Sequence, residues 1–163
     1  ADSLAGVLPT IRSRCVSFAI APVSPADCAR YCTAHGVDKK TAALYSELFD
    51  GHIGTVLTAA RDKARTEQVD KAMELARAAQ AGDSYTAAVL LAPYEKDKAG
   101  AAALLRDLRA VAAAGLQGSP HAPVQGQQAQ RTLRLAEAAI QRLGAQGNPK
   151  IVLTVFAARL AHA

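Results

Sequence analysis

Alanine constrains this chain more than any other residue. It fills 38 of the 163 positions, while the aromatic residues are only four Tyr and three Phe, with no Trp. Alanine is the strongest helix former, whereas strands are enriched in β-branched and aromatic side chains. The composition therefore predicts an all-α fold.

Composition also excludes several classes of protein. Half of the residues are apolar and 20% are charged, which is not the balance of a disordered chain. No run approaches the roughly 18 apolar residues that a membrane span needs, and residues 1–4 lack the basic and apolar regions of a signal peptide. We therefore expect a globular protein that makes no membrane contact.

The three cysteines are Cys15, Cys28 and Cys32, an odd number without framework spacing. This fits free thiols in a reducing compartment. Cys28 and Cys32 stand four apart, as two metal ligands on one helix face would. A zinc site needs four ligands, however, and no His or second Cys pair lies at a usable spacing. We interpret both as small buried apolar side chains and expect no metal site.

Helix-start and helix-stop residues recur from Ser24 onward. Ser24 and Asp38 are typical N-caps, and Gly36 and Gly51 are typical of helix C-termini. They predict three short helices before residue 62, the third with its buried face formed by Ile53, Val56, Leu57 and Ala60.

Five longer helices are predicted after this point. The predicted spans are 62–81, 85–91, 95–114, 127–143 and one that starts at Pro149. Gly115 is expected to end the third of them, and residues 115–126, rich in Gly, Pro, Ser and Gln, are expected to form a mobile loop. The inner face of the last helix is assigned to Ile151, Val155, Phe156 and Leu160.

The first 23 residues mix apolar side chains with Pro and Ser and lack helical spacing. Residues 15–18 (C-V-S-F) are typical of a short strand. This region is expected to be a short extended remnant of another domain.

Residues 8–15 read L-P-T-I-R-S-R-C. This string resembles the L-P-T-I-x-S-R-C segment of bacterial clamp-loader subunits, AAA+ proteins that open a ring-shaped sliding clamp and close it around primed DNA. In that family the S-R-C arginine is an arginine finger that meets the ATP of a neighbouring subunit. The resemblance implies that Arg14 is this finger, with Arg12 and Ser13 supporting the interface. In an extended stretch, Arg12 would point to the same side as Arg14.

The resemblance also bears on nucleotide binding. The family's phosphate loop, G-x-x-x-x-G-K-[ST], is missing from the 163 residues, so the chain is expected to be a fragment that begins late in the AAA+ module. ATP-binding members carry an arginine in a G-x-x-R pattern, and here residues 51–54 read G-H-I-G. The resemblance therefore implies a subunit that is not itself an ATPase and binds no cofactor, with ATP and Mg²⁺ in a neighbouring subunit.

The family's organisation implies three regions. Residues 1–18 correspond to the tail of an AAA+ core, 19–62 to a three-helix lid and 63–163 to a five-helix collar. The implied partners are the tau/gamma and delta subunits of the DNA polymerase III clamp loader in a pentamer, with the sliding clamp and primed DNA reached through the complex. The implied location is the bacterial cytoplasm.

Charge leaves a second interpretation open. Residues 100–163 carry seven basic and two acidic side chains, so they hold the whole net charge of +5. A stand-alone helical adaptor could use this segment to bind a protein partner or nucleic acid, and nucleic-acid affinity would then fall steeply with salt. An enzyme with its own active site has little support, because the four His stand in separate segments.

Overall fold

The computed structural model describes residues 8–16, 18, 21 and 23–161, and within these residues every regular element is helical. Nine α-helices lie in this part of the chain: α1 Pro9–Arg12, α2 Pro25–Ala34, α3 Lys39–Leu48, α4 Ile53–Arg61, α5 Lys63–Ala81, α6 Ser84–Leu91, α7 Lys98–Leu116, α8 Gly126–Gly144 and α9 Pro149–Ala161. A 3-10 turn, Ala92–Tyr94, follows α6. None of the described helices combines the length and apolarity needed to cross a bilayer.

Short polar side chains begin most of these helices. The side chain of Ser24 accepts the Asp27 N–H, and that of Asp38 accepts the Lys40 and Thr41 N–H groups. Each such bond satisfies a backbone donor that has no partner within its helix. The same arrangement begins α5, α6 and α7 at Asp62, Asp83 and Asp97. The predicted all-α fold and the N-caps Ser24 and Asp38 are therefore confirmed.

The helices form two bundles that share one core. The N-terminal bundle comprises α2–α4 (residues 25–61), and the C-terminal bundle comprises α5–α9 (residues 63–161). Asp62 alone separates them, because it is both the C-cap of α4 and the N-cap of α5. In the C-terminal bundle α7 packs along α8 and α5, and α9 packs against α6 and α8. The largest fully buried side chains are Leu75, Leu91, Leu104, Leu105, Leu108, Leu143 and Leu153.

The start of the chain differs from expectation. Pro9–Arg12 forms one helical turn rather than an extended stretch, since proline suits the first helical position and the Ile11 N–H bonds the Leu8 carbonyl at 3.0 Å. Cys15, Val16 and Phe18 lie in a bend or irregular backbone, so the expected strand is absent from the described residues. Ser17, its remaining residue, lies outside them.

Gly115 does not end a helix. It lies inside α7, where a Cβ would stand 1.9 Å from the Val124 carbonyl oxygen. The following loop therefore reaches the helix backbone, and Ser119, Ala122 and Val124 are buried there. The expectation of a mobile loop is wrong in that these side chains belong to the core.

Ile151 does not belong to the inner face of α9. Its side chain is 63% exposed, whereas Phe156 and Leu160 are buried as predicted. At 3.6 residues per turn, nine residues make two and a half turns, so Ile151 lies opposite Leu160. Val152 and Leu153 are buried in its place.

Candidate functional site

Arg14 lies in a tight turn directly after α1. Its N–H donates to the Ile11 carbonyl at 3.1 Å. Ser13 closes the same turn, because its N–H donates to the Pro9 carbonyl at 3.0 Å and its hydroxyl donates to the Thr10 carbonyl at 3.2 Å. The turn leaves Arg14 exposed, and its guanidinium forms no ion pair with the described residues.

Arg12 is the last residue of α1, and its side chain lies outside the described part of the structure. The expectation that Arg12 and Arg14 point to one side assumed an extended backbone. That assumption is wrong, because a helical turn followed by a hydrogen-bonded turn replaces the strand geometry. The Ser13 hydroxyl bonds the Thr10 carbonyl within the turn, and a role for Ser13 at a subunit interface stays a prediction.

Large apolar side chains surround this turn without joining the core. Leu8 is 65% exposed, Ile11 50%, Val16 81% and Phe18 86%. Such a concentration of exposed apolar side chains is typical of a surface that another element or subunit covers. Arg14 therefore stands in an apolar surface segment rather than on a solvated helix face.

The start of α4 forms a second surface feature. The N-cap residue of α4 is His52, whose side chain accepts no hydrogen bond from the helix. The backbone N–H groups of residues 53–55 therefore have no side-chain acceptor at the N-cap. These residues, with Ala21, Val23 and Gly51, line a cavity of about 320 Å³. A helix N-terminus of this kind carries partial positive charge.

The two glycines of the G-H-I-G segment, residues 51–54, differ in the space around them. A Cβ at Gly51, whose φ is +72°, would lie 1.7 Å from the Val23 carbonyl oxygen, so only glycine fits there. A Cβ at Gly54 would meet nothing within 4 Å. Gly54 is exposed and helical, so no neighbouring atom prevents a side chain from starting at this position.

A partly buried polar cluster joins the two bundles, and no sequence motif marks it. We call Phe49, Arg65, Gln68 and Asp107 the Arg65 cluster. The Arg65 guanidinium donates to both carboxylate oxygens of Asp107, with the Nη2–Oδ1 distance at 2.5 Å, and Gln68 Nε2 donates to the same carboxylate at 2.8 Å. The Arg65 Cζ lies 5.5 Å from the centre of the Phe49 ring.

Burial gives the Arg65 cluster its strength. The Asp107 side chain is 9% exposed and that of Arg65 is 26% exposed. The hydrogen bonds to Asp107 are the main cause that raises the pKa of Arg65 above its ordinary value, so the guanidinium stays charged. A sequence signal for the cluster existed, because Asp107 falls on the apolar side of α7 with Leu104, Leu108 and Val111. A carboxylate at such a position needs a buried partner.

One acidic and one basic side chain of the basic last third pair with residues outside it: Asp107 with Arg65, and Lys150 with Glu95 at 3.6 Å. Of its two carboxylates, Asp107 is buried and neutralised by Arg65, which leaves Glu137 exposed. Arg106, Arg109 and Arg134 are also exposed. Arg131 donates to the Arg159 carbonyl at 2.7 Å, which ties α8 to α9.

The two cysteines of α2 lie in the core, and His35 and His52 lie at helix ends. Cys28 and Cys32 are fully buried, as predicted. The pKa of the Cys32 thiol is raised, mainly by its burial and to a smaller extent by the neighbouring Cys28. Within the described residues His, Cys, Asp and Glu form no group that could hold a metal. His35 Nδ1 and His52 Nδ1 each lie 2.8 Å from a carbonyl of the preceding helix end.

No protein-family model, no curated protein and no solved structure matches the chain.

Proposed function

We propose that this protein is a non-hydrolysing subunit of a bacterial replicative clamp loader, similar to the delta-prime subunit of DNA polymerase III. In this proposal Arg14 is an arginine finger for the ATP of a neighbouring tau/gamma subunit, and the C-terminal bundle is the collar that joins it to tau/gamma and delta. ATP and Mg²⁺ are held by the neighbour, and the sliding clamp and primed DNA are met through the complex, in the bacterial cytoplasm.

The observation that carries the proposal is the exposed Arg14 within the string at residues 8–15. Guanidinium is a planar, permanently charged fork that can bind two phosphate oxygens, which suits it to stabilise charge in phosphoryl transfer. The hydrogen-bonded turn holds Arg14 outward, and the exposed apolar side chains of Leu8, Ile11 and Val16 supply surface for a neighbouring subunit to cover.

Gly54 supports the non-hydrolysing assignment. Where ATP-binding relatives place an arginine, this chain has a glycine beside open space, which offers no side chain to a nucleotide. The substitution is not forced by packing, because only Gly51 in that pattern is held by a close contact with Val23.

The test is Arg14→Ala in a reconstituted loader in which only the ATP site next to this subunit is left active. We expect ATP turnover to fall by about 10³-fold or more, the usual scale for an arginine finger. Arg14→Lys should rescue little, since an ammonium lacks the fork. Arg30→Ala, an exposed arginine paired with Asp27 in α2, is the matched control and should leave turnover unchanged. Unchanged turnover in Arg14→Ala would refute the assignment.

A second candidate is the stand-alone helical adaptor that binds a protein partner or nucleic acid through its basic last third, residues 100–163, where the carboxylate of Asp107 is buried against Arg65. Its surface keeps exposed arginines with Glu137 as the one exposed carboxylate of the described residues there. The same experiment separates the candidates. An adaptor predicts that Arg14→Ala has no effect on ATP turnover, and that the isolated chain binds DNA with an affinity that falls steeply with salt.

A further inference from the structure

We propose that the N-terminal bundle folds only against the C-terminal bundle, and that contact between the Phe49 ring and the Arg65 guanidinium couples them into one cooperative unit. This inference is independent of the proposed function, because it rests on packing between the two bundles. It also differs from the division into two domains at residue 62, since that division implies a three-helix region with its own stability.

The N-terminal bundle is too small to be stable alone. It has fewer than about 40 residues, a size at which disulfides, metals or association are usually needed. Its cysteines are free, and no metal cluster occurs among the described residues. Its core consists mostly of small side chains: Cys28, Cys32, Val37, Ala42, Tyr45, Leu48, Val56 and Ala59.

In addition to the packing of α4 on α5 and of α3 on α7, polar side chains link the bundles at three places. At the junction, the Thr66 hydroxyl of α5 donates to the Ala59 carbonyl of α4 at 3.0 Å. At the far side, the Ser119 hydroxyl bonds the Glu47 carboxylate, which ties α3 to the loop before α8. Between them Arg65 lies under Phe49, so the end of α3 is attached to α5. The Thr66–Ala59 bond is local to the junction, whereas the Ser119–Glu47 bond joins residues 72 positions apart and so couples the bundles through the tertiary fold.

The contact with Phe49 is favoured because Arg65 is held in place beside the ring. Both of its terminal nitrogens are bonded to Asp107, a buried carboxylate that would lose its ion pair and keep only the hydrogen bond from Gln68 if the guanidinium turned outward. A cation that is already fixed and partly desolvated loses little freedom when an aromatic ring covers it. The C-terminal bundle thus presents a preformed surface to which the N-terminal bundle attaches.

Native-state hydrogen exchange on the full 163-residue chain tests the proposal. In the wild-type protein, core amides of α3 and α4 should exchange with the same free energy of opening as those of Leu104 and Leu108 in α7, because one unit opens as a whole. Leu143→Ala, a cavity in α8 distant from α3, should accelerate both sets equally, by roughly 30-fold or more.

Phe49→Leu should separate the two sets. It keeps an apolar side chain while removing the ring over Arg65, so we expect α3 and α4 amides to exchange roughly 3–30-fold faster relative to α7. Tyr31→Leu is the matched control, an aromatic residue in α2 that stacks on His35 away from the Arg65 cluster, and should not separate them. The proposal is overturned if α3 and α4 already exchange faster than α7 in wild type. It is equally overturned if Leu143→Ala spares them, or if Phe49→Leu separates the sets no more than Tyr31→Leu.

Discussion

Gly115→Ala tests the close approach of the loop before α8 to α7. A glycine that ends a helix in the left-handed conformation resists alanine because of its φ, whereas Gly115 is helical and resists alanine because of a neighbouring segment. In the structure the new Cβ would stand 1.9 Å from the Val124 carbonyl oxygen and 3.5 Å from the Ala122 Cβ. The first contact is with backbone, so the loop has to move.

The magnitude follows from two opposing effects. Alanine improves the helix by about 1 kcal/mol over glycine. Moving the loop removes burial of Val124, which is fully buried and contributes about 1.5–3 kcal/mol, and forcing extra volume into a packed contact costs about 1–3 kcal/mol. We expect a net loss of about 1.5–5 kcal/mol, the upper end applying if Val124 leaves the core entirely, which is a fall in Tm of about 3–20 °C for a chain of this size.

Urea denaturation of Gly115→Ala and Gly54→Ala measures this difference. Gly54 is the matched control, because it is also helical but a Cβ there meets nothing within 4 Å, so its alanine variant should be as stable as wild type or more stable. The midpoint should fall for Gly115→Ala at an unchanged m-value. If Gly115→Ala matched or exceeded the wild-type midpoint, the close approach of the loop to α7 would be refuted.

Two further predictions concern a helix cap and the last helix. The hydrogen bond from the Thr41 N–H is the main cause that holds the pKa of Asp38 below its ordinary value of 3.8. The stability that this cap contributes is therefore complete above pH 3.8 and is lost as the pH falls through the lowered pKa. Asp38→Asn should make Tm depend less on pH in acid, and a profile of Tm against pH identical to that of wild type would contradict this prediction. Ile151→Ser should change the free energy of unfolding by no more than about 0.5 kcal/mol, whereas Phe156→Ala should cost about 3–5 kcal/mol; similar urea midpoints for both would contradict the assigned faces of α9.

Local signals in the sequence located most helices. Ser24 and Asp38 were predicted as N-caps, and both accept backbone N–H groups in the structure. Capping depends on a side chain and the next three residues, so it can be read from neighbours in the chain. The predicted helix end at Gly115 was wrong, because the packing of that residue depends on Val124, which lies in a different segment of the chain.

The residues of the candidate site were likewise predicted only where a local sequence pattern marks them. The string at residues 8–15 and Gly54 were visible in the sequence, although Pro9–Arg12 proved helical where an extended segment was expected. The Arg65 cluster was not found, since Arg65 and Asp107 are separated by 41 intervening residues and neither belongs to a motif. The one usable signal was a carboxylate on the apolar side of α7.

Interactions between neighbouring residues specify the helical class, the places where most helices begin, and the free, buried state of Cys28 and Cys32, because propensity, capping and hydrophobicity act over a few positions. Long-range packing instead sets the burial of the loop before α8, the exposure of Ile151 and the pairing of Asp107 with Arg65 beside Phe49. Those outcomes depend on which distant surfaces meet, and the energy of a buried contact or an ion pair is set by partners that no local pattern specifies.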